Sequence, residues 1–462
     1  MRLVNSLLMV LSVFILCSCG RNGDTAAKDL IYYDYIYRKD LLTFTNTKAD
    51  YVCKRVCYDL GAETVVWEQE NTNYPHQNYV YSDAISRGQY CSNMKFGNNL
   101  VRVFVASDYP YLPPSSAYPF TGVYLQKVDM STGNEVSIKQ LLSNADFDTK
   151  KPFAISKVET DGTRIFFECS NGYLYCYDEN GGLIWKKFFS NFAQYAPVIG
   201  SQTNFAFFSL EKGRIYVSSF SPGSTNATLK CVDAATGNII FDPGTSHELV
   251  QVPALMFNND YIFEWGYGGV GVLSKSTGVL NTQYQGGLVP GTNGNGRRGI
   301  ALGMMGDNYV TMLDNDRNFA YYDLAKDRAY TTGISCTYNL MNIISGTTLY
   351  GAGGIYGNQK FECSAINAST PATSSVLWKR SIPFAGGTGG NTGDLKDMIL
   401  ANGNLYLFTN FYQDNGVYTQ LGTTGAVIIL STTDGNIVKQ CHNVPFGNHQ
   451  LAQYGWYNIS KF

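Results

Sequence analysis

The sequence predicts an all-β protein that forms a single β-propeller of eight four-stranded blades, with seven blades as the alternative count. One observation is a phrase of strand, tight turn and strand that occurs eight times along the chain. A second is a turn rich in Gly, Asn and Asp, followed by an apolar strand, that precedes each copy. Two registered turns in each unit imply four strands, named a to d in chain order, which is the organisation of a propeller blade.

The clearest copy of the phrase is LYCYDENGGLIW, Leu174–Trp185. Asp178 opens its turn, because an Asp there can hydrogen-bond the backbone ahead of it, and Gly181–Gly182 turn the chain, because Gly takes the positive φ that other residues avoid. Tyr173, Tyr175 and Tyr177 lie on one side of the first strand, and both sides are apolar, so the strand is buried on both faces. The other copies are Cys57–Trp67, Lys127–Val136, Cys231–Phe241, Leu273–Leu280, Tyr321–Tyr330, Ile366–Trp378 and Leu430–Val438.

The phrase resembles the repeat of the PQQ-like β-propeller family, "lyalDa-tGkvlW", which Tyr175–Trp185 matches almost position by position. The resemblance implies that Trp67, Trp185 and Trp378 pack blades together. Within the family, size and organisation are similar to those of the BamB-type lipoproteins of outer-membrane assembly. Quinoprotein dehydrogenases share the repeat, but they hold their quinone beneath two adjacent bonded cysteines, and this sequence has no Cys-Cys pair. We therefore expect no bound cofactor.

The N-terminus resembles a bacterial lipoprotein signal. Residues 1–18 contain a basic start and an apolar stretch too short to span a membrane, and Cys19 follows small residues as the predicted lipidation site. The alternative is a plain secretory signal with incidental cysteines. Residues 19–30 are predicted to be a flexible tether and residues 31–462 the propeller. These features predict a lipid-anchored protein of the bacterial cell envelope, at the outer membrane.

The amino-acid composition argues against one class of binding partner, nucleic acids. The formal net charge is −2 and only 15% of residues are charged, so no nucleic-acid surface is expected. No CxxC pair with partner spacing indicates a metal site. Cys169 and Cys176 lie on neighbouring predicted strands joined by a two-residue turn, which would place them diagonally. A strained disulfide is one interpretation, and two buried thiols acting as small hydrophobes is the other. We expect a monomeric domain.

The two ends of the predicted propeller chain bear on how the ring closes. Ile31–Tyr37 alternates around Asp34 and is predicted to be the innermost strand of the first blade. The tail, His442–Phe462, either pairs with that blade and closes the ring or lies across one face.

Long segments fall mainly between strands b and c and between strand d and the next strand a, so they decorate one face of the disc. Binding residues usually lie on such loops. The candidate partner-binding residues are the aromatic and basic side chains Tyr109, Tyr111, Tyr195, Arg297, Arg298 and Tyr412. The alternative is that the aromatics pack the loops onto the disc and the arginines are merely solvated.

Two functions follow. The first is a non-enzymatic envelope lipoprotein whose long-loop face binds an envelope protein or a glycan. The second is a quinone-dependent dehydrogenase or a polysaccharide-acting enzyme with its site in the central channel. The four histidines are scattered and no catalytic motif is found, which favours the first.

Overall fold

The computed structural model describes residues 28–38, 51–71, 93–107, 120–146, 155–169, 171–189, 208–220, 226–244, 247–248, 254–266, 269–284, 300–305, 308–313, 318–326, 328–335, 341–355, 360–370, 372–383, 394–410, 424–445 and 456–462. These residues form almost only β-strands; the exception is a 3₁₀ turn at Asn144–Asp146. In the described part of the chain, no helix is long and apolar enough to cross a membrane.

The strands pair into eight antiparallel sheets, which are the blades. Their bounds are β1 (Leu30–Arg38), β2 (Tyr51–Asp59) and β3 (Thr64–Asn71); β4 (Met94–Phe96), β5 (Asn99–Ser107), β6 (Phe120–Asp129) and β7 (Glu135–Ser143); β8 (Ile155–Thr160), β9 (Arg164–Cys169), β10 (Tyr173–Asp178) and β11 (Leu183–Phe188); β12 (Phe208–Glu211), β13 (Arg214–Phe220), β14 (Asn226–Asp233), β15 (Ile239–Phe241) and β16 (His247–Glu248); β17 (Ala254–Phe257), β18 (Tyr261–Gly266), β19 (Gly269–Ser274) and β20 (Leu280–Tyr284); β21 (Ile300–Met305), β22 (Tyr309–Leu313), β23 (Asn318–Asp323) and β24 (Arg328–Ser335); β25 (Met341–Ser345), β26 (Thr348–Ile355), β27 (Lys360–Asn367) and β28 (Ser375–Pro383); β29 (Asp394–Ala401), β30 (Asn404–Asn410), β31 (Thr424–Ser431) and β32 (Ile437–Pro445); and β33 (Trp456–Ser460).

Seven blades, numbered 2 to 8, take four strands in chain order, from β4–β7 in blade 2 to β29–β32 in blade 8. In blade 4 the short β16 pairs with β14 beside β15. Blade 1 has the order β3-β2-β1-β33 and so joins the two ends of the described chain. The predicted eight-bladed β-propeller is confirmed.

Blade 1 corrects one prediction. The strand containing Ile31–Tyr37 is the second strand of its blade, since β1 pairs with β2 on one edge and with β33 on the other. Tyr35 lies opposite Trp456, and Tyr32 opposite Ser460. Of the two alternatives for the tail, its last strand closes the ring. The turn and apolar strand predicted before the copy at Cys57 are RKD-LLTFT, which begins at Arg38. This predicted strand falls in residues 39–50, outside the described residues and between β1 and β2.

The core lies between blades. The described buried side chains group into eight clusters, and each cluster joins one pair of neighbouring blades. Between blades 8 and 1, for example, Tyr33 and Val56 pack with Phe408 and Val427. Each sheet is therefore apolar on both faces, because it contributes to two clusters. The eight cores make the ring of described blades continuous.

A repeated contact joins the outer strand of one blade to the turn of the next. In blade 7 the Trp378 indole donates to the Thr432 carbonyl at 2.9 Å, and its ring packs on Gly435, which has a φ of +68°. A Cβ at Gly435 would lie 2.4 Å from Cε3 of Trp378. Trp67 and Trp185 make the same pair of contacts with blades 2 and 4. The predicted blade-packing role of these tryptophans is confirmed.

At the closure between blades 8 and 1, a lysine replaces the tryptophan. Lys439 lies at the position that Trp378 occupies in blade 7, and its Nζ donates to the carbonyls of Leu60 and Gly61 at 2.6 and 2.7 Å. It also forms an ion pair with Glu63 at 3.2 Å. The turn of blade 1 is thus held by charge-assisted hydrogen bonds, whereas the turns beside Trp67, Trp185 and Trp378 are held by an aromatic ring.

The strand register corrects the cysteine geometry. Leu174 lies opposite Glu168, and Cys176 opposite Phe166. A two-residue turn would instead pair Leu174 with Cys169 and Cys176 with Phe167. The shift arises because three residues, not two, separate β9 from β10. Cys169 and Cys176 therefore point to opposite blade interfaces, Cys169 toward blade 2 and Cys176 toward blade 4. Both are free thiols, which confirms their interpretation as buried hydrophobes.

Candidate functional site

The antiparallel pairing gives the disc two different faces. The turn face carries the a–b and c–d turns, such as Gly97–Asn98 in blade 2 and Asn402–Gly403 in blade 8. The loop face carries the b–c and d–a connections at the opposite ends of the same strands. Hydrogen bonds within the turns show how tight the first face is: Asp129 accepts from the backbone N–H groups of Ser131 and Thr132, both at 2.9 Å.

The long connections start and finish at the loop face, as the sequence predicts. Between paired strands the connections span residues 39–50, 108–119 and 411–423; between blades they span 72–93, 189–207, 285–299, 384–393 and 446–455. The candidate binding residues belong to four of them and lie outside the described residues: Tyr109, Tyr111, Tyr195, Arg297, Arg298 and Tyr412. Cys19 also lies outside the described residues.

The strand ends show which blades these candidates belong to. Tyr109 and Tyr111 follow β5 in blade 2, and Tyr412 follows β30 in blade 8. Tyr195 lies between blades 3 and 4, whereas the two arginines lie between blades 5 and 6. Blades 8, 1 and 2 are neighbours around the ring, so the connections after β1, β5 and β30 start from one arc. Sequence reasoning missed the connection 39–50 because it assigned a turn and a strand there.

One acidic residue in an innermost strand has an unusual environment. Asp397, in β29, is half-buried next to a bulge between Leu395 and Asp397. Its Oδ1 accepts from the Met398 N–H at 2.8 Å. Burial raises the pKa of this carboxyl to about 7, against that hydrogen bond, which acts in the opposite direction. A carboxyl that titrates near neutral pH can give or take a proton in chemistry.

A buried charged group links blades 1 and 2. Asp34 of β1 accepts a hydrogen bond from the Arg102 guanidinium and lies 3.3 Å from Nε of Arg55. Both guanidinium groups donate to Oε1 of Gln126 at 2.8 Å. All four residues are less than 5% exposed, so the charges are paired inside the interface rather than presented to a ligand. In the sequence, this buried group could have been recognised from the polar or charged residue that lies within each of the four otherwise apolar strands.

Metal binding and thiol chemistry have little support in the described strands and turns. They contain no group of three or more His, Cys, Asp or Glu side chains that could hold a metal ion. The six cysteines whose side chains are described are buried, and burial raises the pKa of Cys57 to about 11 and that of Cys363 to about 12. Such thiols stay protonated at neutral pH and are poor nucleophiles.

The fold and these sites define an eight-bladed β-propeller with one face of tight turns and one face of long connections. No protein-family model matches the sequence, and no curated protein matches it. Among solved structures it is similar to BamB from Moraxella catarrhalis, at 13% identity over 80% of this chain and 96% of that one, with a TM-score of 0.42.

Two further solved structures are similar to this chain. The dihydro-heme d1 dehydrogenase NirN is 12% identical over 92% of this chain and 76% of that one, with a TM-score of 0.45. A chain of the mitotic checkpoint complex is 13% identical over 72% and 86%, with a TM-score of 0.40. At these identities the comparisons concern architecture, and the blade count itself rests on the strand pairing.

Proposed function

We propose that the protein is a non-enzymatic lipoprotein of the bacterial cell envelope, in which the propeller is a scaffold and the loop face binds an envelope protein or a glycan. Lipid on Cys19 would anchor it to the outer membrane. The proposed contacts are made by the aromatic and basic side chains of the connections, Tyr109, Tyr111, Tyr195, Arg297, Arg298 and Tyr412.

The observation that carries the proposal is the asymmetry of the disc. Eight interblade cores hold the blades together, and the turn face carries short turns whose side chains bond within the turn. The long connections start and end at the other face. A rigid scaffold that presents long connections on one side is the usual arrangement of a recognition surface.

The test compares two multiple variants of the full chain as bait on solubilised native membranes. The loop variant combines Tyr109→Ala, Tyr111→Ala, Arg297→Ala and Arg298→Ala. The control changes exposed side chains of the turn face, Asn98→Ala, Asp260→Ala and Thr433→Ala. A partner recovered with the wild type is expected to bind the control and to bind the loop variant at least about tenfold more weakly, because truncated hot spots cost about 2 kcal/mol or more each. The reverse pattern would place recognition on the turn face.

The second candidate function is an enzyme acting on polysaccharide in the central channel, and Asp397 is the observation that favours it. Release of reducing ends from envelope polysaccharides by the wild type, abolished in Asp397→Asn, would establish this function. For a quinone-dependent dehydrogenase the corresponding measurement is the melting temperature with PQQ and calcium, which tight binding would raise.

A further inference from the structure

A pocket opens on the turn face where the ring is closed. In blades 2 to 8 a tight turn connects strand a to strand b. In blade 1 these two strands are β33 and β1, which come from distant parts of the chain, so no a–b turn covers their ends. The space left there is a cavity of about 440 Å³, within the usual size of ligand pockets.

The cavity is lined by the two strand ends and by the neighbouring blades. Its lining residues include Lys28, Tyr32, Lys95, Asn402, Lys461 and Phe462. The aromatic part consists of Tyr32 and Phe462, whose ring centroids are 6.0 Å apart. Tyr32 is buried, whereas Phe462 is 51% exposed, so part of the Phe462 ring is open to solvent.

The side chains of the lining carry a net positive charge. Its side chains carry three ammonium groups, of Lys28, Lys95 and Lys461, and one carboxylate, of Asp29. That carboxylate is engaged, because Lys461 donates to it while lying 4.6 Å from the Tyr406 ring centroid. Lys28 and Lys95 form no ion pair with any described residue, and Nζ of Lys95 lies 5.9 Å from the Phe462 ring centroid.

We propose that this pocket binds an acidic sugar, carrying a carboxylate or a phosphate group, either free or at the end of a glycan. Lys28 and Lys95 neutralise the anionic group, since ammonium groups bind both anions as point charges. The sugar ring lies on Phe462, as apolar ring faces pack on exposed aromatics. The amide groups of Asn402 and Asn404, which both line the cavity, can donate to and accept from hydroxyl groups. The site lies opposite the loop face and is independent of the partner proposed there.

Isothermal titration of the full-length protein at low salt tests the proposal, with glucuronate, glucose 6-phosphate, inorganic phosphate and glucose as probes. We expect glucuronate or glucose 6-phosphate to bind and glucose not to bind. Tighter binding of glucuronate would identify the anionic group as a carboxylate, and tighter binding of glucose 6-phosphate would identify it as a phosphate. Inorganic phosphate is expected to bind at least about tenfold more weakly than the better sugar, because it lacks the ring that packs on the aromatic side chain.

A charge-matched pair of variants provides the control. Lys28→Gln with Lys95→Gln is expected to weaken sugar binding at least about tenfold, as loss of charge-assisted contacts does, and Lys186→Gln with Lys326→Gln, two exposed lysines outside the pocket, is expected to leave it unchanged. Phe462→Ala is expected to weaken the acidic sugar while leaving inorganic phosphate unaffected. The proposal is overturned if neither acidic sugar binds at millimolar concentration, if glucose or inorganic phosphate binds as tightly, or if both lysine pairs behave alike.

Discussion

At the scale of single residues, neighbouring blades are joined where a tryptophan side chain of one blade packs on a glycine in a turn of the next. Trp378 and Gly435 show the arrangement, and Trp67 with Gly133 repeats it. The tryptophans could be predicted from the sequence, because each follows the tight turn of its repeat. The lysine that replaces tryptophan in blade 8, Lys439, could not, since its carbonyl partners lie in a turn at Leu60 and Gly61, at the other end of the chain.

Two glycines with the same backbone conformation allow the energetic cost of side-chain overpacking to be measured separately from the cost of backbone strain. Gly435 and Gly403 have φ values of +68° and +71°, but only at Gly435 would a Cβ meet a neighbour within 4 Å, the Trp378 ring. Gly403→Ala should cost about 1–2 kcal/mol through the left-handed backbone alone. Gly435→Ala should cost a further 1–3 kcal/mol, roughly, through overpacking. Urea unfolding curves of both variants measure the difference, and equal losses would contradict the ring-on-glycine contact.

Asp397 predicts a pH dependence of stability. Its folded-state pKa of about 7 is higher than the pKa of about 3.9 expected for an unfolded Asp, so the native state binds the proton more tightly. The stabilisation from protonated Asp397 is therefore complete below a pH of about 4 and is lost as the pH rises through about 7. Asp397→Asn should remove this loss.

The measurement is the free energy of unfolding of wild type and Asp397→Asn at several pH values between about 4 and 8, the range that the two pKa values define. The stability of the variant relative to wild type should increase with pH over this range. A difference that stays constant would mean that the pKa of Asp397 is the same in the folded and the unfolded protein. The residue was not identified from the sequence, because the burial that raises the pKa of its carboxyl exists only in the folded chain.

At the scale of elements, the turns and the outer strands followed from the sequence more reliably than the inner strands. The phrase around Asp178 combines turn chemistry with a recurring aromatic, and its strands β10 and β11 are found where the pattern predicts them. The inner strand β33 is five residues long and has no a–b turn to mark it. Its partner β1 alternates in the same way that an inner strand would, so the pattern predicted the strand but not its place in the blade.

The closing strand gives the third prediction. Deletion of residues 456–462 should lower the melting temperature by at least about 5 °C, because it removes Ile459 from the core between blades 8 and 1 and leaves one edge of β1 unpaired. Circular dichroism melts measure the change. Phe462→Ala, at an exposed position, is the control and should shift the melting temperature by less than about 2 °C, as exposed substitutions usually do.

A synthetic peptide with the sequence of residues 456–462 distinguishes lost pairing from general damage. Added to the shortened protein, it should restore part of the melting temperature in a concentration-dependent way. A peptide with Ile459 replaced by Asp should fail to do so. If the shortened protein melts like the full chain, β33 does not close the ring.

At the scale of the whole molecule, the repeat number predicted the ring, and the placement of insertions predicted which face carries them. Contacts between the connections were beyond prediction, since Tyr109 or Arg298 sits in a segment whose conformation no periodic pattern specifies. The turn-face pocket was also beyond prediction, because Lys28, Lys95 and Lys461 come together only after the closing strand is in place.

The fourth prediction concerns attachment. If Cys19 carries the lipid, Cys19→Ala should move the protein from the membrane fraction to the soluble fraction, because no other anchor is predicted and a lipidated residue tethers a folded domain without spanning the bilayer. Fractionation after a high-salt wash, with metabolic labelling by a fatty acid, measures both effects. A variant that stays with the membranes would contradict the assignment. Ser18→Thr, beside the predicted site, is a control for expression of the altered signal.

The pairing of β33 with β1 also sets an order of events during biosynthesis. The strand β33, which completes blade 1, is synthesised after all the other described strands. Until it has been synthesised, blade 1 has only three strands and one edge of β1 is unpaired. A truncated product from a stalled ribosome would display this edge to other chains, and exposed edges recruit strands from them. We expect proteases that recognise extended segments to cleave copies truncated before β33 faster than complete copies.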